Sequence, residues 1–275
     1  SPNELTYTYT KNTYSSQPAN WPYGYYTDEH GTEAPSTFTA GVYYTRTDDG
    51  VYPDNMKSTT QDIANCSANG TNWQIGDYAH RELLSALLML ISKSDNSQEA
   101  FGYGYIYNGN NNPLVHYNFM RNGSLNTKGQ FFGYTNGVAS VKTFFIENWW
   151  GMRWDRCLGL YNFHNEYRVK WEPPYSISDV VETIATGVTV PTTGWTYETD
   201  NTYGRLPIST GTPGSATTCT TDYFYAYNGS NAFSIALYGG SNGGSGQMAG
   251  MWALDLADSH SSTSWQFGSS PYLKA

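Results

Sequence analysis

The sequence predicts an α+β fold in which one buried helix packs against many short strands. Three observations carry that expectation. Residues 77–93, DYAHRELLSALLMLISK, form an uninterrupted run of strong helix formers. Elsewhere, short aromatic and β-branched runs recur between Gly, Asn and Pro turn signals. Charged residues make up only 13% of the chain, against 25 Tyr, 9 Trp and 28 Gly. That share falls well below the ~25% of an ordinary globular domain and suits an aromatic, strand-rich core.

Residues 1–60 carry TYTYT and FTAGVYYTR between Pro22–Gly24 and Asp49-Gly50, which predicts a β-rich N-terminal extension of short strands and loops. Asn65 to Thr71 reads as a loop. In the helix, Asp77 is a suitable N-cap, and Leu83, Leu84, Leu87, Leu88, Leu90 and Ile91 leave little polar face, so burial on most sides is expected. The Ser/Asp/Asn run after Lys93 ends it. FGYGYIYNGNNN, GQFFGYTNG and VKTFFIENWWGMRW then predict aromatic strands, with Trp149 and Trp154 in the core and Trp150 open between core and surface. EYRVKWEPP predicts a strand stopped by Pro173 and Pro174. Residues 191–231 read mostly as loop, and FSIALYGG and GMWALDL as the last strands. No period of 20–50 residues repeats.

The balance of 14 basic against 23 acidic residues gives a net charge of −9. With no basic run, sequence-independent nucleic-acid binding is not expected. No apolar stretch reaches membrane-spanning length, so no membrane insertion is expected either. Cys66, Cys157 and Cys219 allow at most one internal disulfide and fit no zinc spacing. The five histidines are dispersed without H-x-x-x-H or H-E-x-x-H, and there is no D-x-[DN]-x-[DN]-G loop, so no metal and no cofactor are expected. The chain starts at Ser1 with neither an initiator Met nor a signal peptide, which we read as an artificial or processed boundary with room for an assembly domain upstream.

The C-terminal stretch 236–270 carries the main functional expectation. Gly239, Gly240, Ala249, Gly250, Leu254, Leu256, Trp265 and Gly268 look like scaffold positions, and small polar residues alternate with them. Anchored backbone with outward, interchangeable polar groups is what a recognition surface needs. Gly239-Gly240-Ser241-Asn242-Gly243 formally matches G-x-S-x-G. A Gly/Ser loop and another strand follow it, however, with Asp255, Asp258 and His260 crowded close behind, so a tight turn is expected rather than a nucleophile elbow. Carboxylate pairs such as Glu147 with Asp155, or Glu166 with Asp179, define a hydrolase alternative, while Glu147 and Asn148 fit backbone hydrogen bonding in the core.

The order of motifs adds a resemblance. A Leu-rich helix ends in ISKS-D-x-x-Q-x-x-FG (Ile91 to Gly102). FFG-x-x-NG-x-x-SVK (Phe131 to Lys142), EN-W-WG-x-x-W (Glu147 to Trp154) and VK-x-x-PPY (Val169 to Tyr175) follow. The chain closes with AL-x-GG, AG, L-x-L and SW-x-x-G. From about residue 75 to 275 this resembles the C-type-lectin-like variable proteins of phages and bacteria, including phage tail receptor-binding proteins and targets of diversity-generating retroelements. WG-x-x-W also resembles the formylglycine-generating-enzyme-like branch of that fold, but no active cysteine pair accompanies it, so that likeness concerns fold only.

The resemblance implies a C-type-lectin-like domain over 61–275 and a hypervariable surface at about 236–270. In such proteins adenine-directed rewriting diversifies Asn codons. Asp255, Ala257, Asp258, Ser262, Ser264 and Gln266 fall at matching places, with Ser241, Asn242, Ser245 and Gln247 in the preceding loop. That loop departs from the aromatic-rich loops usual in the family. The lectin triplets EPN, QPD and WND are missing, so calcium-dependent sugar capture is not implied. The expected ligand face comprises Tyr238, Ser241, Asn242, Ser245, Gln247, Trp252, Asp255, Asp258, His260, Ser262, Ser264, Gln266 and Phe267. The resulting expectation is a non-enzymatic receptor-binding protein at a phage tail tip or cell surface. Its partner would be a host surface protein or glycan, and a homotrimer would suit a fibre tip. A carbohydrate-active hydrolase or depolymerase using Glu147 or Glu166, and an inert structural tail protein, are the alternatives.

Overall fold

The fold is described from a computed structural model covering residues 38–40, 54–70, 73–102, 104, 122–133, 140–178, 180–211, 222–229, 233–240 and 248–274. Among these residues the chain is mostly β, with 34% strand and 17% helix, so the β part of the expected α+β class dominates.

The elements in order are β1 (Phe38–Ala40), α1 (Thr59–Ser67), β2 (Trp73–Ile75), α2 (Tyr78–Ser92), α3 (Ser97–Phe101), β3 (Lys142–Thr143), β4 (Ile146–Glu147) and β5 (Trp154–Phe163). They continue with β6 (Glu166–Val169), β7 (Ile184–Thr189), β8 (Gly194–Asp200), β9 (Leu206–Thr210), β10 (Tyr223–Ala226), β11 (Phe233–Tyr238), β12 (Leu254–Leu256), β13 (Phe267–Gly268) and β14 (Pro271–Lys274).

A nine-stranded, nearly closed sheet runs β7-β6-β5-β11-β12-β10-β8-β9, with β13 attached to β5. β10 is parallel to β12 and β13 to β5, and the other pairs are antiparallel. A smaller sheet, β1-β14-β2, brings the N-terminal strand against the C-terminal one. The expected boundary between residues 60 and 61 falls inside α1. TYTYT lies outside the described residues.

α2 forms as the sequence predicts. The Asp77 side chain accepts from His80 N, and Lys93 in the left-handed conformation ends the helix. Leu84 and Leu88 are buried, whereas Leu90 is 69% exposed, so the helix has one open side. The expectation of a single helix is corrected: α1 and α3 are helices too. α1 begins at a capping box in which Ser58 and Gln61 satisfy each other's backbone, and it takes up Asn65 to Ser67, part of the expected loop.

Two strand expectations are also corrected. VKTFFIENWWGMRW is no continuous strand. Phe144 and Phe145 turn at positive φ between β3 and β4, and the chain enters β5 only at Trp154. The supposed loop at 191–231 contains β8, β9 and β10. All three tryptophans Trp149, Trp150 and Trp154 are buried, with the Trp150 indole donating to Gly102 O at 3.1 Å.

The main core lies on the inner sheet face, where Cys157, Tyr167, Phe224, Ala236, Tyr238, Leu254 and Leu256 meet Tyr78 of α2. A second cluster joins Leu84 and Leu88 to Trp149, Trp150, Met251 and Trp252. Arg81 links the two. Its guanidinium lies 4.2 Å from the Trp149 ring and 4.9 Å from Tyr238, and donates to Met251 O at 3.0 Å and Trp149 O at 3.4 Å.

Candidate functional site

Period-2 alternation decides what the end of the chain presents. Along β12, Leu254 and Leu256 point to the inner core, so Asp255 points to the outer face. β11 does the same, with Leu237 facing outward between Ala236 and Tyr238. The outer face is then covered by the returning segment 257–268. Phe267 packs there with Trp154, Leu237, Ala253 and part of Tyr225. Four of the expected ligand residues are therefore corrected: Tyr238, Trp252, Asp255 and Phe267 are buried and do not face solvent. Tyr238 belongs to the inner core, and Trp252 lies beneath the Arg205 guanidinium at 5.3 Å. Phe267 lies beneath Arg156 at 5.1 Å, and Asp255 accepts from Ala257 N at 2.7 Å.

Asp258, His260, Ser262, Ser264 and Gln266 are half-buried and come together on one segment, while Ala257, Ser261 and Thr263 are exposed. Ser241, Asn242, Ser245 and Gln247 lie outside the described residues.

This segment is held through its backbone. The carbonyl of His260 accepts from Thr59 N at 3.0 Å, that of Ser264 from Met56 N at 3.1 Å, and that of Gln266 from Trp154 N at 2.9 Å. The carbonyl of Ser262 accepts from Arg156 Nη2 at 2.8 Å. Four alternate residues are thus anchored through groups that every residue type carries.

Arg156 is the hub of this arrangement. Besides Ser262 O, it donates to Asp62 Oδ2, Thr59 Oγ1 and Lys57 O at 2.7–2.8 Å. Burial works against both charges of the Arg156–Asp62 pair, lowering the Arg156 pKa and raising that of Asp62 while each partner pulls the other back. Arg153 adds bonds to Phe267 O at 2.9 Å and to Asp54 O.

The turn ahead of the segment needs its glycines. Gly239 has φ +95°, and a Cβ there would meet Trp149 O at 3.0 Å. Its carbonyl accepts from Gly151 N and Gly250 N, and its N–H donates to Ala253 O. A Cβ on Gly250 would stand 2.0 Å from Asp222 Oδ1. Asp222 in turn accepts from Trp252 N at 2.7 Å, and Gln98 Nε2 donates to Ala249 O. Burial pushes the carboxyl groups of Glu82, Asp155, Asp222 and Asp255 up to about 7, opposed in part by Arg205 N at Glu82, Arg81 at Asp155, Trp252 N at Asp222 and Ala257 N at Asp255.

Both oxygens of Glu147 are taken by backbone N–H groups, from Gly123 at 2.8 Å and Leu125 at 2.7 Å, as expected for a buried structural carboxylate. Glu166 pairs with Arg168 at 3.1 Å and accepts from Gly187 N. Asp179 lies outside the described residues. Cys66 and Cys157 are free and buried in different clusters, and burial pushes both thiols up, away from the reactive thiolate. Cys219 lies outside the described residues. Among the described residues no group of His, Cys, Asp and Glu could hold a metal ion, and no helix is long and apolar enough to cross a membrane.

Sequence reasoning missed an aromatic row beside the segment. Trp195 of β8 stands opposite Tyr223 of β10 with ring centroids 5.2 Å apart. Tyr223 and Tyr225 are 4.8 Å apart, and Tyr225 meets Trp154 edge-on at 5.6 Å. The alternation Tyr223–Phe224–Tyr225 was the available signal, since it puts Phe224 in the core and both tyrosines outward. No protein-family model and no curated protein matches the chain.

Proposed function

We propose that this chain is a non-enzymatic receptor-binding protein with a C-type-lectin-like domain, displaying the 257–266 segment as its ligand face at a phage tail tip or cell surface. One observation carries the reading. His260, Ser262, Ser264 and Gln266 are anchored by their carbonyls. The backbone thus carries most of the anchoring, beside smaller side-chain contacts from Ser264 Oγ to Gln266 N, between Ser262 and Ser259, and between the His260 and Phe233 rings, and a segment held mainly by its backbone suits a diversified recognition surface. The partner is a host surface protein or glycan. Single contacts from small polar groups are weak, so several copies acting together supply the strength, as a trimer would.

The test replaces Asp258, His260, Ser262, Ser264 and Gln266 together by alanine and measures unfolding and adsorption to host cells. Retained stability with lost or redirected adsorption supports the reading. Unchanged adsorption contradicts it.

A further inference from the structure

Beyond its first turn, α2 has no charged side. From Leu83 to Ser92 it carries no Asp, Glu, Lys or Arg. Leu84 and Leu88 fill the core with Trp149, Trp150 and Met251. Leu83, Ala86, Leu87 and Leu90 fall on the opposite side, where helical spacing aligns them as one stripe over two turns. Leu83, Ala86 and Leu87 are half-buried, and Leu90 is 69% exposed. A helix that is apolar all round belongs in an interior, and this one has its second apolar side in water.

Two observations say what covers that side. The first is charge. The stripe is uncharged in a chain of net charge −9. A charged partner surface would lose its hydration against leucine with no counter-charge in return, whereas a second copy offers the same uncharged stripe. Ala86, in the middle of it, lets two backbones approach. The second observation is position. Through Tyr78 and Arg81, α2 lies against the inner face of the large sheet, while the 257–266 segment lies across the outer face. Copies joined through α2 therefore leave that segment uncovered on each.

We propose that α2 docks on α2 of a second copy of this chain through Leu83, Ala86, Leu87 and Leu90. Burial on most sides, which the sequence of the helix predicts, is then completed in the assembly rather than in the single chain. The proposal rests on the receptor-binding reading for the use of several copies and adds the surface that joins them.

The test is sedimentation equilibrium of the intact chain over about 1–100 µM. Self-association with a Kd in the micromolar range is expected, as a small interface gives. Leu90→Glu brings like charges together where the copies meet, and it weakens association about a hundredfold or more. Leu90→Met, which stays apolar at similar volume, keeps the Kd within about threefold. Leu90 is exposed, so both variants should unfold at the denaturant midpoint of the parent. A chain that stays monomeric to about 100 µM overturns the proposal. Association left undiminished by a folded Leu90→Glu variant overturns it too and moves the joint elsewhere. A monomer that binds phosphatidylcholine vesicles overturns it in favour of a lipid surface. Should Leu90→Glu fail to fold, Leu90→Ser takes its place and is expected to weaken association about three- to tenfold. No host cell enters this measurement, so failure here and failure of the adsorption test are separate results.

Discussion

The two faces of β11 and β12 are built on different terms. On the inner face Tyr238, Leu254 and Leu256 are held by the packing of their own side chains against Tyr78, Phe224 and their neighbours. On the outer face the 257–266 segment is held by carbonyls that accept from Met56, Thr59, Trp154 and Arg156. Side-chain packing is the substance of one face, while backbone carbonyls carry most of the anchoring of the other, helped by Ser264 Oγ accepting from Gln266 N and by the His260 ring beside Phe233.

The largest expected effect comes from the interior charges. The folded-state pKa values of Glu82, Asp155, Asp222 and Asp255 are about 7, above the ordinary carboxylate range near ~4. The folded chain therefore keeps protons that the unfolded chain releases. Their contribution to stability is fully present below about pH 4 and is lost as pH rises through about 7. Denaturant midpoints should fall from about pH 5 to about 7 and level off above that, and a rise across that window would contradict the burial assigned to these groups.

The hub comes next. Arg156→Met removes four hydrogen bonds and leaves Asp62 buried without its cation. Loss of about 3–5 kcal/mol is expected in chemical denaturation, as for other broken buried pairs. Leu256→Ala on the inner face should cost about 2–5 kcal/mol through the cavity it leaves. Gly250→Ala should cost about 1–3 kcal/mol, since the new Cβ displaces Asp222 from Trp252 N. Smallest of all, Ser262→Ala and Gln266→Ala should each stay within about 0.5 kcal/mol of the parent. A loss there as large as that of Leu256→Ala would erase the distinction between the faces.

What the sequence made legible follows the same division. α2 was readable because Asp77 caps it and its leucines recur at helical spacing. α1 was not, because TTQDIANCS has little apolar periodicity, although Ser58 and Gln61 spell a capping box. β5 escaped because both its faces are buried, so WDRCLGLYNF does not alternate, and its Arg156 and Asp155 look like surface residues until their partners are seen. β8 and β10 were hidden in a Thr- and Gly-rich stretch where β10 is set by pairing with distant β12 and β8 in turn by pairing with β10. For the site, alternation correctly put Asp255 opposite Leu254 and Leu256. It carried no information about the segment that folds back over that face, under which Asp255 and Phe267 are buried, nor about the inner-core place of Tyr238 or the packing of Trp252 beneath Arg205.

The central claim is that the 257–266 segment keeps its place whatever side chains it carries. The most direct measurement is to randomise residues 258, 260, 262, 264 and 266 together, display the library, and score each variant for protease resistance. The account predicts that most variants resist proteolysis as the parent does, whereas a library at 238, 254 and 256 on the inner face mostly fails. Equal failure of the two libraries would contradict it.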